Sequence, residues 1–209
     1  MDSESFQKLV KINGQAHLEL LGNNENSAIF FSGHLANWEL GPKSMAVCGF
    51  PLAVVYRKGN NPGLDKIIQT TRNHYQTTGV PKGKEGSRQL IKLIQQGRHI
   101  GILIDQKMND GIEVNFFNRG AMTAPAIAKL ALKFNCPIIP VKLVRTNGTE
   151  HEVTIYPPVE VPRTNNDNED VHLLMTKLNA ILECWIRENP SQWIWVHNRW
   201  PKDKGAGRH

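Results

Sequence analysis

No stretch of these 209 residues stays apolar for the roughly 20 positions that a membrane-spanning helix needs, and Met1–Gln15 lacks the apolar core of a secretory signal. Cysteine is scarce. Cys48, Cys136 and Cys184 are odd in number and far apart, which leaves neither a disulfide framework nor zinc-ligand spacing. They read as small core residues in a reducing compartment. The GxxxxGK[ST] order of a phosphate-binding P-loop is missing, and no internal repeat is visible. The cations are dispersed, without the interleaved aromatics of a nucleic-acid binder, so no nucleic-acid partner is expected. What remains is ordinary for a globular chain, 40% hydrophobic and 21% charged, at a length that suits one domain. Lysine and arginine outnumber the acids 25 to 19, and the net charge of +6 favours an anionic partner such as phospholipid, an acidic carrier protein or a phosphorylated substrate.

Along the chain, β-type and helix-type patterns alternate. Ser27–Ser32 is short, apolar and β-prone, so it reads as a buried strand, followed by a helix from about Asn37 to Cys48. Pro51–Arg57 reads as a strand, and a helix opened by Asn61-Pro62 is expected to run to Gly79 as its C′ residue. Lys84–Gln96 is amphipathic and stopped by Gly97, and His99–Ile104 is the near-continuous apolar run of a strand covered on both faces. A polar loop with a short strand at Val114–Phe117 follows, then a helix Ala124–Phe134 capped by Thr123. Pro137–Arg145 and His151–Tyr156 flank Asn147-Gly148, a hairpin signal, and Val171–Arg187 is an amphipathic helix ended by Pro190. The order implies an α/β fold, a mixed, mostly parallel sheet flanked by helices, with functional residues beyond strand C-termini.

His34 and Asp105 both fall at such ends. His34-Leu35-Ala36-Asn37-Trp38-Glu39 places an imidazole and a carboxylate five positions apart where a strand gives way to a helix. On one regular helix five residues is about 500°, which would point the two side chains apart. His34 is therefore expected in the turn, with Glu39 folding back to accept a hydrogen bond from one ring nitrogen. The other nitrogen would then face the mouth of the sheet as a base. A packed histidine and a carboxylate that merely complements a helix N-terminus is the competing reading of the spacing.

From His34 onward the chain resembles the late acyltransferases of lipid A synthesis, the lauroyl/myristoyl transferase family, and more distantly the glycerol-phosphate acyltransferases. Beyond the His34–Glu39 motif, the resemblance is carried by Val55-Tyr56-Arg57, Pro81–Arg88, Leu103-Ile104-Asp105-Gln106-Lys107, Val114–Phe117, Thr123–Ala128, Cys136–Val141 and Gln192–Trp200, in family order. Asn118 stands where the family usually has glycine, and Lys58 where proline is common. Family members usually carry an N-terminal hydrophobic anchor and more sequence before the histidine. This chain is therefore expected to be a truncated member, a single acyltransferase domain over 1–209 with 1–26 as the remnant of an N-terminal region and 203–209 as a disordered tail.

The resemblance implies a glycerol-phosphate-acyltransferase-like fold. It also implies transfer of a fatty acyl group from an acyl-carrier-protein thioester to a hydroxyl of a lipid A precursor at the cytoplasmic face of the inner membrane. His34 would be the general base and Glu39 its orienting acid. No cofactor or metal is implied, since a thioester already carries a good leaving group. Arg57, Arg88, Asp105, Gln106 and Arg119 are candidate substrate-binding residues. Arg57 ends a strand and suits a phosphate, or is an exposed cation closing it. Arg88 lies in the glycine-punctuated basic loop Lys82–Arg88, suited to phosphate or simply a solvated helix face. Asp105 and Gln106 could orient Arg57 or Arg88, bond to substrate sugar, or merely end the strand. Arg119 is a weaker phosphate candidate. Trp193, Trp195 and Trp200, with His197 and Arg199, suit a membrane interface, but a Trp-rich tail more often packs back on the core. The rival functions are acylation of glycerol phosphate or another glycolipid, and an inactive truncated family member.

Overall fold

The computed structural model describes residues 3–22, 27–56, 61, 63, 66, 67, 70, 72, 76–195 and 198–200. Its centre is a seven-stranded sheet in the order β1-β9-β8-β2-β5-β3-β4. The strands are β1 (Val10–Asn13), β2 (Ile29–Ser32), β3 (Leu52–Tyr56), β4 (Thr78–Pro81), β5 (His99–Leu103), β8 (Ile138–Asn147) and β9 (Glu150–Ile155). Five neighbours, β8, β2, β5, β3 and β4, run parallel, while β9 returns antiparallel along β8 through the Asn147-Gly148 turn and β1 lies parallel to β9. This is the mixed, mostly parallel α/β sheet that the alternating pattern predicts.

Helices cover both faces. On one face lie α1 (Ser3–Leu9), α2 (Ala16–Glu19) and α3 (Leu40–Val47), packing Phe6, Leu18 and Met45 against Phe30, Leu52, Ile139 and Val153. On the other lie α4 (Lys84–Gln95), α5 (Ala126–Phe134) and α6 (Asp167–Glu188), which bury Leu90, Ile94, Ile127, Leu174, Leu178 and Leu182 against Ile29, Phe31 and Ile100. Because side chains alternate along a strand, Phe30 and Phe31 serve opposite cores, and β2 has no polar face to offer water. Residues 3–22, absent from the sequence-derived element list, thus contribute a strand and two helices to the same sheet and core.

Local chemistry explains most boundaries. Asn166 caps α6 by accepting from the N–H groups of Asn168 and Glu169, three acids fill its first turn, and Arg187 sits in the last. Three sequence expectations fail locally. Gly79 does not end a helix: it pairs with Val54 inside β4. Thr123 does not cap α5, which starts at Ala126, because its hydroxyl donates to the Ala121 carbonyl instead. The polar loop after β5 is a hairpin, β6 (Lys107–Phe116) and β7 (Arg119–Thr123), of which only the end of β6 falls in the expected short strand at Val114–Phe117. Its two-residue turn has Phe117 and Asn118 at positive φ, which is the geometry of a tight hairpin turn and one that asparagine tolerates almost as glycine does. The hairpin is fixed to α6, with Asn179 donating to the Asn115 carbonyl and Glu183 accepting from the Phe117 N–H. Of the cysteines, Cys136 is buried and Cys48 half-buried, but Cys184 is exposed on α6, contrary to its expected place in the core.

Candidate active site

Parallel pairing of β2 with β5 matches Ile29 to Ile100 and Ser32 to Leu103, a constant offset of 71 residues. The same offset carried two positions past both strand ends brings His34 to Asp105. The contact is close. His34 Nδ1 lies 2.7 Å from Asp105 Oδ1, and the His34 backbone N–H donates to Oδ2 at 2.8 Å. A third donor, the Trp193 indole N–H, reaches Oδ2 at 3.0 Å. Gly33 makes this possible: a Cβ there would sit 2.6 Å from a Leu182 methyl and 3.4 Å from Oδ2.

The carboxylate side chain is only 3% exposed and the imidazole 15%. Burial pushes the Asp105 carboxyl upward, but the His34 ring bond, the His34 charge, the His34 backbone N–H and the Trp193 indole together bring it below the usual aspartate value. Asp105 is therefore an anion, so in the neutral form of the ring the Nδ1 facing it carries the proton and the lone pair is on Nε2. Gln106 reports the same tautomer. Its Oε1 accepts from Lys82 Nζ at 2.8 Å, which leaves the Gln106 NH₂ to donate toward His34 Nε2 at 3.2 Å.

This corrects the expected pairing of His34 with Glu39. Residues 37–39 form a turn, with Leu40 N–H bonded to the Asn37 carbonyl, and α3 begins only at Leu40. The ring therefore has Trp38 against it, 4.8 Å between centroids, while Glu39 is turned to Arg72. Arg72 grips both carboxylate oxygens, Nη2 to Oε1 at 2.6 Å and Nε to Oε2 at 3.2 Å. Among the described residues, the bonds of Asp105 go to His34 and Trp193 and none goes to Arg88.

Beside the imidazole opens a cavity of about 690 Å³. Its walls are apolar, formed by Phe30, Met45, Leu52, Val54, Val141 and Leu143 on the α3 side and Phe31, Val55, Leu90, Ile102 and Ile104 on the other. Polar groups gather with His34: Glu39, Arg72, Lys82, Gln106 and Lys107 also line it. Such a lining suits a long apolar group with a charged or polar head.

The remaining sequence candidates are placed less centrally. Arg57 lies outside the described residues, as do Lys58, His197 and the tail 203–209. Arg88 is exposed on α4, and Arg119 is exposed on β7 with its guanidinium 5.8 Å from the Trp200 ring centroid; neither lines the cavity. Sequence reasoning missed Arg72 and Trp193 as parts of the site, reached Lys82 only as the start of the basic loop Lys82–Arg88, and gave Asp105 a different job. The β2–β5 offset would have found Asp105, but it needs the strand order first.

The Trp-rich segment packs back at its described residues Trp193, Arg199 and Trp200. Arg199 is 1% exposed and donates to the Met122 carbonyl and the Thr123 hydroxyl, and the Trp200 indole donates to the Phe116 carbonyl. Ile194 and Trp195 stay exposed. Among the described residues no helix is long and apolar enough to cross a membrane, and no group of three or more His, Cys, Asp or Glu side chains could hold a metal ion.

None of the curated proteins compared with the chain matches it. A family model does: the one for bacterial lipid A biosynthesis acyltransferases matches residues 1–202. With an imidazole paired to a buried carboxylate beside an apolar cavity, and that match over nearly its whole length, this chain belongs to the bacterial lipid A biosynthesis acyltransferase family and is an acyltransferase.

Proposed function

We propose that the protein moves a fatty acyl group from an acyl-carrier-protein thioester to a hydroxyl of a lipid A precursor, with His34 as general base and Asp105 holding its tautomer. The single observation that carries this reading is the His34–Asp105 pair set beside an apolar cavity of about 690 Å³. The acyl chain occupies the apolar part, and its carbonyl lies near His34. The acceptor hydroxyl displaces the Gln106 amide from Nε2. As the hydroxyl oxygen attacks the thioester carbonyl, Nε2 takes its proton, and the Asp105 carboxylate stabilises the imidazolium that forms. The tetrahedral intermediate then collapses, the C–S bond breaks, and the proton on Nε2 goes to the leaving thiolate.

Glu39 keeps a place in the site through Arg72. Held at its Nε and Nη2 by Glu39, the guanidinium lines the cavity together with Lys82 and Lys107, a cationic group suited to the phosphates of carrier and acceptor. Arg88 and Arg119, outside the cavity lining, are then candidates for more distant phosphate contacts, and Arg57 is a further candidate phosphate ligand. A lipid acceptor calls for work at a membrane surface, and the family resemblance favours the cytoplasmic face of the inner membrane.

The test is acyl transfer from labelled acyl-carrier protein to a lipid A precursor, with glycerol 3-phosphate as the comparison acceptor. His34→Ala lowers kcat by about 10²–10⁴-fold, the usual contribution of a positioned base. Wild-type turnover in that variant would refute the base assignment, and preference for glycerol 3-phosphate would refute the acceptor.

A further inference from the structure

Asp105 is held by a group from the far end of the chain. Trp193 follows it by 88 positions, on a C-terminal segment that crosses the His34 loop. The Ala36 N–H donates to the Gln192 carbonyl at 2.8 Å, the Ile194 N–H donates to the His34 carbonyl at 2.9 Å, and Leu35 and Trp193 form an antiparallel bridge. The His34 backbone is thus fixed from both sides, its N–H by Asp105 and its carbonyl by Ile194.

We infer that Trp193 is a positioning residue for acyl transfer: its indole N–H holds Asp105 Oδ2, leaving Oδ1 to the His34 ring, a role that rests on His34 being the base proposed above. A carboxylate can turn about its last torsion, and two donors on one oxygen remove that freedom. With only the His34 N–H on Oδ2, the carboxylate would rotate more readily and the ring would follow it away from the attacking hydroxyl. The indole also supplies one of the bonds that offset the cost of burying the charge, which agrees with the downward shift of the Asp105 carboxyl. Packing is separable from this role. The Trp193 ring stacks on Phe117 and Trp195 at centroid distances of 6.3 and 5.8 Å, contacts that a phenyl ring can largely keep.

The experiment compares the full chain with Trp193→Phe, Asp105→Ala and the double variant in acyl transfer to the lipid A precursor. Trp193→Phe is expected to lower kcat roughly tenfold, the worth of one hydrogen bond to a charged group, with KM for donor and acceptor and the melting temperature near wild type. In the Asp105→Ala background the same change should cost less than about twofold, because the partner is already gone. Wild-type kcat in Trp193→Phe, or an equal loss in both backgrounds, overturns the assignment and leaves the base untouched. Full turnover in His34→Ala instead overturns the base and Trp193 with it. If Trp193→Phe does not fold, ¹⁵N-indole spectra decide: the assigned Trp193 N–H resonance moves upfield in Asp105→Ala, and an unmoved resonance overturns the bond.

Discussion

Replacing Asp105 by asparagine changes one oxygen into NH₂ with almost no change of shape, and the surrounding donors dictate the outcome. Oδ2 now accepts both the His34 backbone N–H and the Trp193 indole, so the amide oxygen must take that position to keep two bonds. The NH₂ group is then turned to His34 Nδ1, at the place where a carboxylate oxygen accepted at 2.7 Å. Two donors cannot face each other, so the imidazole shifts its proton to Nε2 and presents Nδ1 as the acceptor. The nitrogen facing the cavity is protonated and takes no proton from a hydroxyl. Inverting a catalytic imidazole in this way costs about 10⁴-fold in kcat, with the fold left intact. Steady-state acyl transfer to the lipid A precursor, with melting curves alongside, measures it. An Asp105→Asn enzyme within about tenfold of wild type, properly folded, would refute the claim that this carboxylate sets the tautomer.

Two other outcomes follow from the same geometry. Glu39→Gln leaves the His34 tautomer unchanged, so its defect should be shared with Arg72→Ala: the double variant is no slower than the worse single one, and additive losses would separate the two residues. Asp105 has its folded pKa depressed, so its stabilising contribution is complete above the unfolded aspartate value of about 3.9 and is lost as pH falls through the lower folded value. Melting temperature should therefore drop more steeply below pH ~4 in the wild type than in Asp105→Asn, and parallel curves would contradict the shift.

Much of the architecture was readable before any coordinates. The apolar, doubly covered character of Ile29–Ser32 and His99–Leu103 follows from uninterrupted hydrophobic runs, and the β8–β9 hairpin from Asn147-Gly148. The α6 stripe and its stop at Pro190 are periodic enough to stand without tertiary context. The first strand and helices were not legible because seven- and four-residue helices and a four-residue strand are too short to show a period. The β6–β7 hairpin was hidden for a different reason: its turn is Phe117-Asn118, and phenylalanine at positive φ is a choice that the hairpin's bonds to Glu183 and Asn179 sustain.

The sequence by itself placed a histidine and an aspartate at the ends of two buried strands and marked the family through its blocks. It could not decide which acid meets the imidazole, because nearness along the chain favoured Glu39, five residues away. Sheet order decided that. Once β5 lies beside β2 in parallel register, His34 and Asp105 are neighbours across the sheet edge whatever their separation of 71 residues. The turn at 37–39 then frees Glu39 for Arg72, and the returning C-terminal segment delivers Trp193 to the same carboxylate. Each of these contacts is long-range, set by register and chain return, and no local spacing encodes them.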